Sequence, residues 1–266
     1  IKQAYLPMKK HFLLLSSLAL FIVQGGAQNT ASELTHAQSL LDGNRNLRFE
    51  QNVGQIKQLE SDATATNVKF VVKSGDHKIF LLNTGLAHQF EQMIYPEGYD
   101  PMEHDPEKMQ QQEALREQIV LKTYRMDMQL LGANPTPKIS TQGKSAYPER
   151  YYKEQNYTAW TWEQVTYHNV YPGIDWVVYS RGNELKYDFV VQPGADPSMI
   201  QLKLVEAGEA RLESDGSFRW SNPMGWVKEN KPLSLQNEQE IESQYRYNDG
   251  ILQFELGVYN HTQILR

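Results

Sequence analysis

The sequence predicts a mainly-β protein, an antiparallel β-sandwich with a short helical surface insertion near residues 101–118. Three observations carry that expectation. Apolar and polar residues alternate in short runs, as in Tyr124, Met126, Met128 and Leu130 against Arg125, Asp127 and Gln129, and period two marks a half-buried strand. Asp-Gly stands between two runs of strand-forming residues at Asp215-Gly216 and again at Asp249-Gly250. Both central residues of a tight hairpin turn need positive φ, which makes Asp-Gly a strong hairpin signal. About a dozen short strands can be counted, with no repeat of fixed period, which suits a sandwich or barrel.

In order along the chain, residues 28–45 are polar and short of large apolar side chains, and read as a flexible lead-in with one helical turn around Leu34–Leu41. Val68–Val72 and Lys78–Leu82 read as strands joined by the turn Ser74-Gly75-Asp76, and Gly85–Phe90 as a third. Residues 91–118 break the pattern. Tyr95-Pro96-Glu97-Gly98 and Asp100-Pro101 read as loop, and Asp105-Pro106 as a helix start with Asp at the cap and Pro at the first helical position. The helix that follows is rich in Gln and Glu. Its apolar stripe of Met109, Leu115 and Ile119 is thin, so it reads as a solvated insertion rather than a partner-binding helix. Strands resume at Ile119–Leu131. Later hairpins join Ala210–Glu213 to Ser217–Trp220 and Ile241–Tyr247 to Ile251–Leu256. In the last pair, Ile241, Ser243, Tyr245 and Tyr247 share one face. The β-rich region is 46–266, and a break near residues 135–145 would divide it into lobes 46–135 and 140–266.

Composition excludes several function classes. Among 266 residues, 26 Lys+Arg face 32 Asp+Glu, a formal net charge of −6, so the basic footprint of a nucleic-acid binder is missing. Cysteine is absent, which excludes disulfides, thiolate nucleophiles, iron–sulfur clusters and Cys-based zinc sites. Residues 1–27 read as an export signal preceded by an upstream extension, 1–7. Met8 is followed by Lys9 and Lys10, then by an apolar run from Phe12 to Val23, then by Gly25-Gly26-Ala27 before Gln28. The run has 12 residues, whereas a spanning helix needs about 20. Cleavage near Ala27-Gln28 removes three lysines and no acid, leaving a formal charge of −9. An acidic, cysteine-free exported chain suits the bacterial periplasm or cell exterior, with no membrane span after cleavage.

The most distinctive stretch is Asn169-Val170-Tyr171-Pro172-Gly173-Ile174-Asp175-Trp176-Val177-Val178-Tyr179, followed by Glu184–Val191 and Pro193-Gly194-Ala195-Asp196-Pro197-Ser198. Read physically, it is a turn, a strand, a loop, a second strand and a turn. With Phe49–Gln55, Val68–Val72, Met128–Pro135 and Phe254–Tyr259, it resembles an N-terminal domain of unknown function found in secreted bacterial multidomain proteins. In those proteins the domain precedes SBBP-type β-propeller repeats, PKD-like modules and a C-terminal sorting tail. The resemblance runs from about Phe49 to Arg266 and implies location and architecture. It implies no reaction. The insertion at 91–118 is longer than the family pattern. Arg150-Tyr151-Tyr152-Lys153 replaces an Asn-Tyr-Phe segment. The chain stops at Ile264-Leu265-Arg266, just short of the strand that closes the family domain, so the resemblance implies a truncated C-terminus.

Two groups of residues qualify as sites. Asp175 and Asp188 share a face of the central hairpin whether its loop is Ser180–Asn183 or a two-residue turn at Gly182-Asn183. The implied backbone separation of about 5–8 Å overlaps that of glycosidase acid/base pairs. The bland alternative leaves Asp175 bonded to the Pro172-Gly173 turn and Asp188 balanced by Lys186. The second group is aromatic. Trp160, Trp162, Tyr167 and Trp176 belong to a Tyr- and Trp-rich stretch from Tyr147 to Tyr179 and could stack on sugars, or else fill the core. Gly143-Lys144-Ser145 fails as a phosphate loop because Lys138 occupies the required glycine position. The histidines at 36, 77, 88, 104, 168 and 261 lack metal-ligand spacing and read as surface residues. Asn52 and Gln55 flank Gly54 and are expected to bond backbone in a tight turn. No metal site and no cofactor is expected. These features point to a non-catalytic structural or adhesive module of a secreted or cell-surface protein. A carbohydrate-binding module and a glycan-active hydrolase using the two aspartates are the alternatives. The expected partners are glycans or other cell-surface components and the downstream domains of the same protein.

Overall fold

The computed structural model describes residues 5–7, 47–56, 68–152, 155–182 and 184–266. The proposed signal segment beyond Pro7 and the lead-in 28–45 lie outside the described residues. The chain divides into two compact units, Asn46–Glu91 with Tyr124–Arg266, and Ile1–Arg45 with Gln92–Thr123. Both expected lobes fall in the larger unit, apart from the stretch 92–123.

The smaller unit contains helix α1 (Pro106–Arg116). Asp105 caps it by accepting a hydrogen bond from the Glu107 backbone N–H at 3.0 Å, with Pro106 at the first position and Arg116 in the last turn. The start of the helix is therefore where the Asp-Pro pair predicted it, and the charges at its two ends suit the helix dipole. Strand β1 (Tyr5–Pro7) lies antiparallel to the start of β6 (Val120–Leu130).

The larger unit is a stack of antiparallel sheets. Its largest sheet begins with β10 (Thr161–Trp162), β2 (Phe49–Gln51), β3 (Phe70–Ser74), β4 (His77–Leu82) and β5 (Gly85–Ile94). It continues through β6, β14 (Gln201–Val205), β21 (Ile251–Leu256) and β20 (Ser243–Asn248). A four-stranded sheet runs β13 (Glu184–Val191), β12 (Ile174–Arg181), β11 (Gln164–Tyr171), β7 (Lys138–Gln142). Smaller sheets are β15 (Ala210–Leu212), β16 (Phe218–Asn222), β17 (Gly225–Glu229), then β18 (Ser234–Gln236) with β19 (Gln239–Ile241), then β8 (Glu149–Tyr151) with β9 (Tyr157–Ala159).

One apolar core joins the two large sheets. Phe49, Phe70, Leu81, Met126, Met128 and Leu202 come from one side, and Val165, Tyr167, Trp176, Val178 and Phe189 from the other. This is sandwich packing, in which the inner faces interdigitate. Trp176 is fully buried, with Tyr167 at 5.0 Å and Phe189 at 6.5 Å between ring centroids. Truncating such a side chain costs about 3–5 kcal/mol. A second apolar cluster of Val68, Val71, Phe80, Leu82 and Ala87 covers the other face of β3 and β4. Strands buried on both faces read as continuous apolar runs, which is why this hairpin shows no alternation. Gly85 has φ +143°, and a Cβ there would lie 2.1 Å from the Met128 carbonyl oxygen, so only glycine fits.

The sheet also buries polar groups. On β6, Asp127 is buried despite its polar parity, and Arg125 neutralises it through two hydrogen bonds of 2.6 and 2.7 Å. The histidines at 77 and 88 depart from the surface expectation. The β4–β5 hairpin pairs His77 with Phe90 and Ile79 with His88. This brings His77 Nε2 to 3.0 Å from His88 Nδ1, and His88 is only 4% exposed. His77 stacks on Phe90 at 4.4 Å, and Trp220 meets His88 edge-on at 5.3 Å. Burial, with the neighbouring His77 charge, pushes the His88 pKa down to about 3.

His88 thus stays neutral in the fold while its unfolded counterpart protonates below about 6.5. The depressed value contributes stability above that pH, and the contribution is lost as pH falls. Urea unfolding of the wild type and His88→Gln at pH 7 and pH 5 tests this. The wild type is expected to lose about 2 kcal/mol more than the variant over that interval. Equal losses would show that His88 is free to ionise in the fold.

Candidate functional site

A cleft of about 640 Å³ lies in the larger unit, within the range of small-ligand sites. One wall is β13, from Leu185 to Phe189, and the opposite wall is the segment Lys228–Leu235. Tyr245 of β20 with Phe254 and Leu256 of β21 make the apolar floor. The rings pack face to edge, with Phe189 and Phe254 at 6.0 Å and Tyr245 and Phe254 at 5.4 Å.

Glu229 is the unusual group of this cleft. Strand β17 alternates, with Gly225, Val227 and Glu229 turned inward and Trp226 and Lys228 exposed. An acid therefore stands at an inward position. Glu229 is half-buried as a residue, but its carboxyl is desolvated. Burial pushes its pKa up to about 7, against a hydrogen bond from Tyr187 and the charge of Lys186. Burial also raises the phenols of Tyr187 and Tyr245, and the proximity of Glu229 adds to both. At neutral pH the cleft therefore holds a carboxyl poised between its neutral and charged forms, beside the neutral phenols of Tyr187 and Tyr245.

The predicted aspartates have different fates. The hairpin takes the two-residue connection at 182–183, with Arg181 opposite Glu184 and Val177 opposite Asp188. Asp188 lines the cleft, where Arg266 donates to it at 2.6 Å and the Tyr179 hydroxyl approaches at 3.4 Å. Lys186 pairs with Glu184 instead. Asp175 does not line the cleft. A bulge in β11 puts Asn169 at φ 51°, so that Asp175 accepts from the Asn169 backbone N–H at 2.8 Å and lies 2.9 Å from His168 Nδ1. His168 continues to Ser140 Oγ at 2.7 Å. Asp175 thus clamps the bulge rather than the Pro172-Gly173 turn.

Of the four aromatic candidates, Tyr167 and Trp176 are core, both 0% exposed. Trp160 and Trp162 are half-buried. Lys144 covers both, with its ammonium 3.6 Å from the Trp160 ring centre and 5.8 Å from that of Trp162. Tyr147 and Tyr152 are exposed.

The Phe49–Gln55 stretch builds a second polar cluster. Asn52 Oδ1 accepts from the Gly54 and Ile56 backbone, and Gln55 Oε1 from Val53 N–H, as the turn reading expects. Buried Glu50 receives Lys73 at 2.7 Å, the Tyr151 hydroxyl at 2.5 Å and Gln55 at 2.9 Å. Burial alone would raise its pKa, but these hydrogen bonds and the Lys73 charge bring it below the usual carboxylate value. Such a matched ion pair anchors strand β2 and offers no acid or base near neutrality. Among the described residues, no group of three or more His, Asp or Glu side chains is arranged to hold a metal ion. No described helix is long and apolar enough to cross a membrane.

The fold and the cleft define a mainly-β domain with an amphipathic groove. Residues 49–266 match the model of a family described as a domain of unknown function, DUF7948, and the chain belongs to that family. No curated protein and no solved structure is similar to it.

Because the Glu229 pKa is raised, its stabilising contribution is full below about pH 4.5 and is lost as pH rises through 7. Glu229→Gln should leave the melting temperature unchanged at pH 5 and raise it at pH 8, by the equivalent of roughly 2 kcal/mol. Thermal melts followed by circular dichroism at the two pH values check this. A variant less stable than wild type at pH 8 would mean that the carboxylate is well solvated.

Proposed function

We propose that this domain is a non-catalytic recognition module, structural or adhesive in role, of an exported bacterial protein, and that it engages its partner through the cleft between β13 and Lys228–Leu235. The observation that carries this reading is how the cleft's polar groups are engaged. Asp188 is bonded to Arg266, while Lys186 and Lys228 are paired with Glu184 and Asp215. Asp175, needed for the acid/base reading, is committed to His168 and Asn169. Hydrolysis of a glycoside needs two carboxyl groups flanking one bond. Recognition needs an apolar floor with a few fixed polar groups, and that is the chemistry of this cleft. Export is supported by the basic, apolar and small-residue succession of residues 8–27 and by the absence of cysteine.

Co-sedimentation of the purified protein with bacterial envelope fractions tests the reading, with release of reducing sugar assayed in the same samples. Wild type is expected to sediment and to release no sugar. Leu233→Asp, at a cleft residue 62% exposed, is expected to stay folded and lose most of the binding. Sugar release that disappears in Glu229→Gln would make the protein an enzyme. Binding that survives Leu233→Asp would place recognition elsewhere on the surface.

A further inference from the structure

Strand β16 alternates between the core and the opposite face of its sheet. Phe218 and Trp220 are fully buried, so Arg219 between them projects from the other face. Register places two further cations beside it. Arg219 lies opposite Arg211 of β15 and opposite Lys228 of β17. Three positive side chains thus stand in one row across three strands, with about 5 Å between neighbouring strands. Like charges directly opposite one another destabilise a sheet, so each cation of the row calls for an anion.

The two outer cations have theirs. Arg211 pairs with Glu209 and Glu213, and Lys228 with Asp215 at 3.0 Å. Arg219, at the centre, forms no ion pair with any described carboxylate. Its contact is with the ring of Trp226, whose centre lies 4.8 Å from the guanidinium carbon. With Arg219 already in place, Trp226 remains 54% exposed. The middle of the row is therefore a half-buried arginine whose planar fork has no acid to hold, beside an open indole.

We propose that this face binds an acidic sugar, a hexuronate residue of a polysaccharide, with its carboxylate on Arg219 and the apolar face of its ring on Trp226. A guanidinium fork matches a carboxylate through two parallel hydrogen bonds, and an indole offers a broad, flat apolar surface. A hexuronate carries its carboxylate one C–C bond, about 1.5 Å, outside its ring, so one sugar makes both contacts. The acids around the row set the rest of the ligand. Glu209, Glu213 and Asp215, held by Arg211 and Lys228, accept hydrogen bonds from hydroxyl groups and repel a second anion. The ligand is thus one negative charge among hydroxyls, which an acidic sugar supplies and a densely charged polyanion does not. Its carboxylate also relieves the repulsion along the row. Trp226 and Lys228 stand on the face of β17 turned away from Glu229. The proposal therefore concerns a second surface and goes beyond the recognition reading of the cleft.

The probe is methyl glucuronide, titrated into the wild-type protein while the indole N–H of Trp226 is followed by nuclear magnetic resonance. That signal is identified by its loss in Trp226→Phe. Two reference ligands separate the contacts. Methyl glucoside keeps the ring and lacks the carboxylate, and acetate keeps the carboxylate and lacks the ring. We expect a saturable shift with the glucuronide in the millimolar range, and at least about tenfold weaker binding of either reference ligand. Arg219→Lys, which keeps the charge and loses the fork, should weaken glucuronide binding about tenfold, and Leu233→Asp in the cleft should leave it unchanged. The three wild-type titrations decide the matter even where a variant fails to fold. No shift with the glucuronide would overturn the proposal. Acetate bound as tightly as the glucuronide would make Arg219 a general anion site, equally open to an acidic peptide, and would overturn it too. So would glucuronide binding that Arg219→Lys leaves intact, or that Leu233→Asp abolishes, since the sugar would then lie elsewhere.

Discussion

The cleft and the core depend on one parity in the β11–β12–β13 ladder. Ile174, Trp176 and Val178 face the large sheet, and their partners across the ladder, Tyr167 and Phe189, face it with them. Both connections preserve that parity. A two-residue turn joins β12 to β13, and the Asn169 bulge absorbs the register shift in β11. A slip of one residue would bring Asp175, Val177 and Asp188 into the apolar interior. The same parity turns the backbone N–H and C=O groups of Leu185, Tyr187 and Phe189 away from β12, toward the side on which Val191 bonds Leu265. Core burial and cleft chemistry are thus two faces of one register, and the Asp175 clamp on Asn169 helps hold it.

Two buried ionisable groups pull the stability curve in opposite senses. His88 must stay neutral between Trp220 and His77, so acid weakens the fold below about pH 6.5. Glu229 prefers its proton, so base weakens it toward pH 7. The contributions overlap in the same pH window and partly cancel, and a single-curve measurement on the wild type would conceal both. The two groups also differ in setting. His88 is sealed in the core with Nε2 lacking a partner, whereas Glu229 stands in a cleft large enough to admit a ligand.

Much of the fold was legible. The Asp-Gly hairpins, the alternation in β6 and the Asp105-Pro106 helix start are local signals, and local chemistry decides them. The Asn52 and Gln55 amides were legible for the same reason, since an Asx-type turn closes within four residues. The cleft was not, because its walls come from β13 and from Lys228–Leu235, some forty residues apart in the chain. Glu229 carried a readable signal. It continues the inward parity of Gly225 and Val227, and an acid on the apolar face of a strand marks a desolvated carboxyl. His77 and His88 were likewise joined by hairpin register, which composition and ligand spacing do not reveal. The aromatic stretch misleads for a simple reason. Trp176 and Tyr167 have the side chains of a sugar platform and also those of a sandwich core, and only the partner sheet decides between the two.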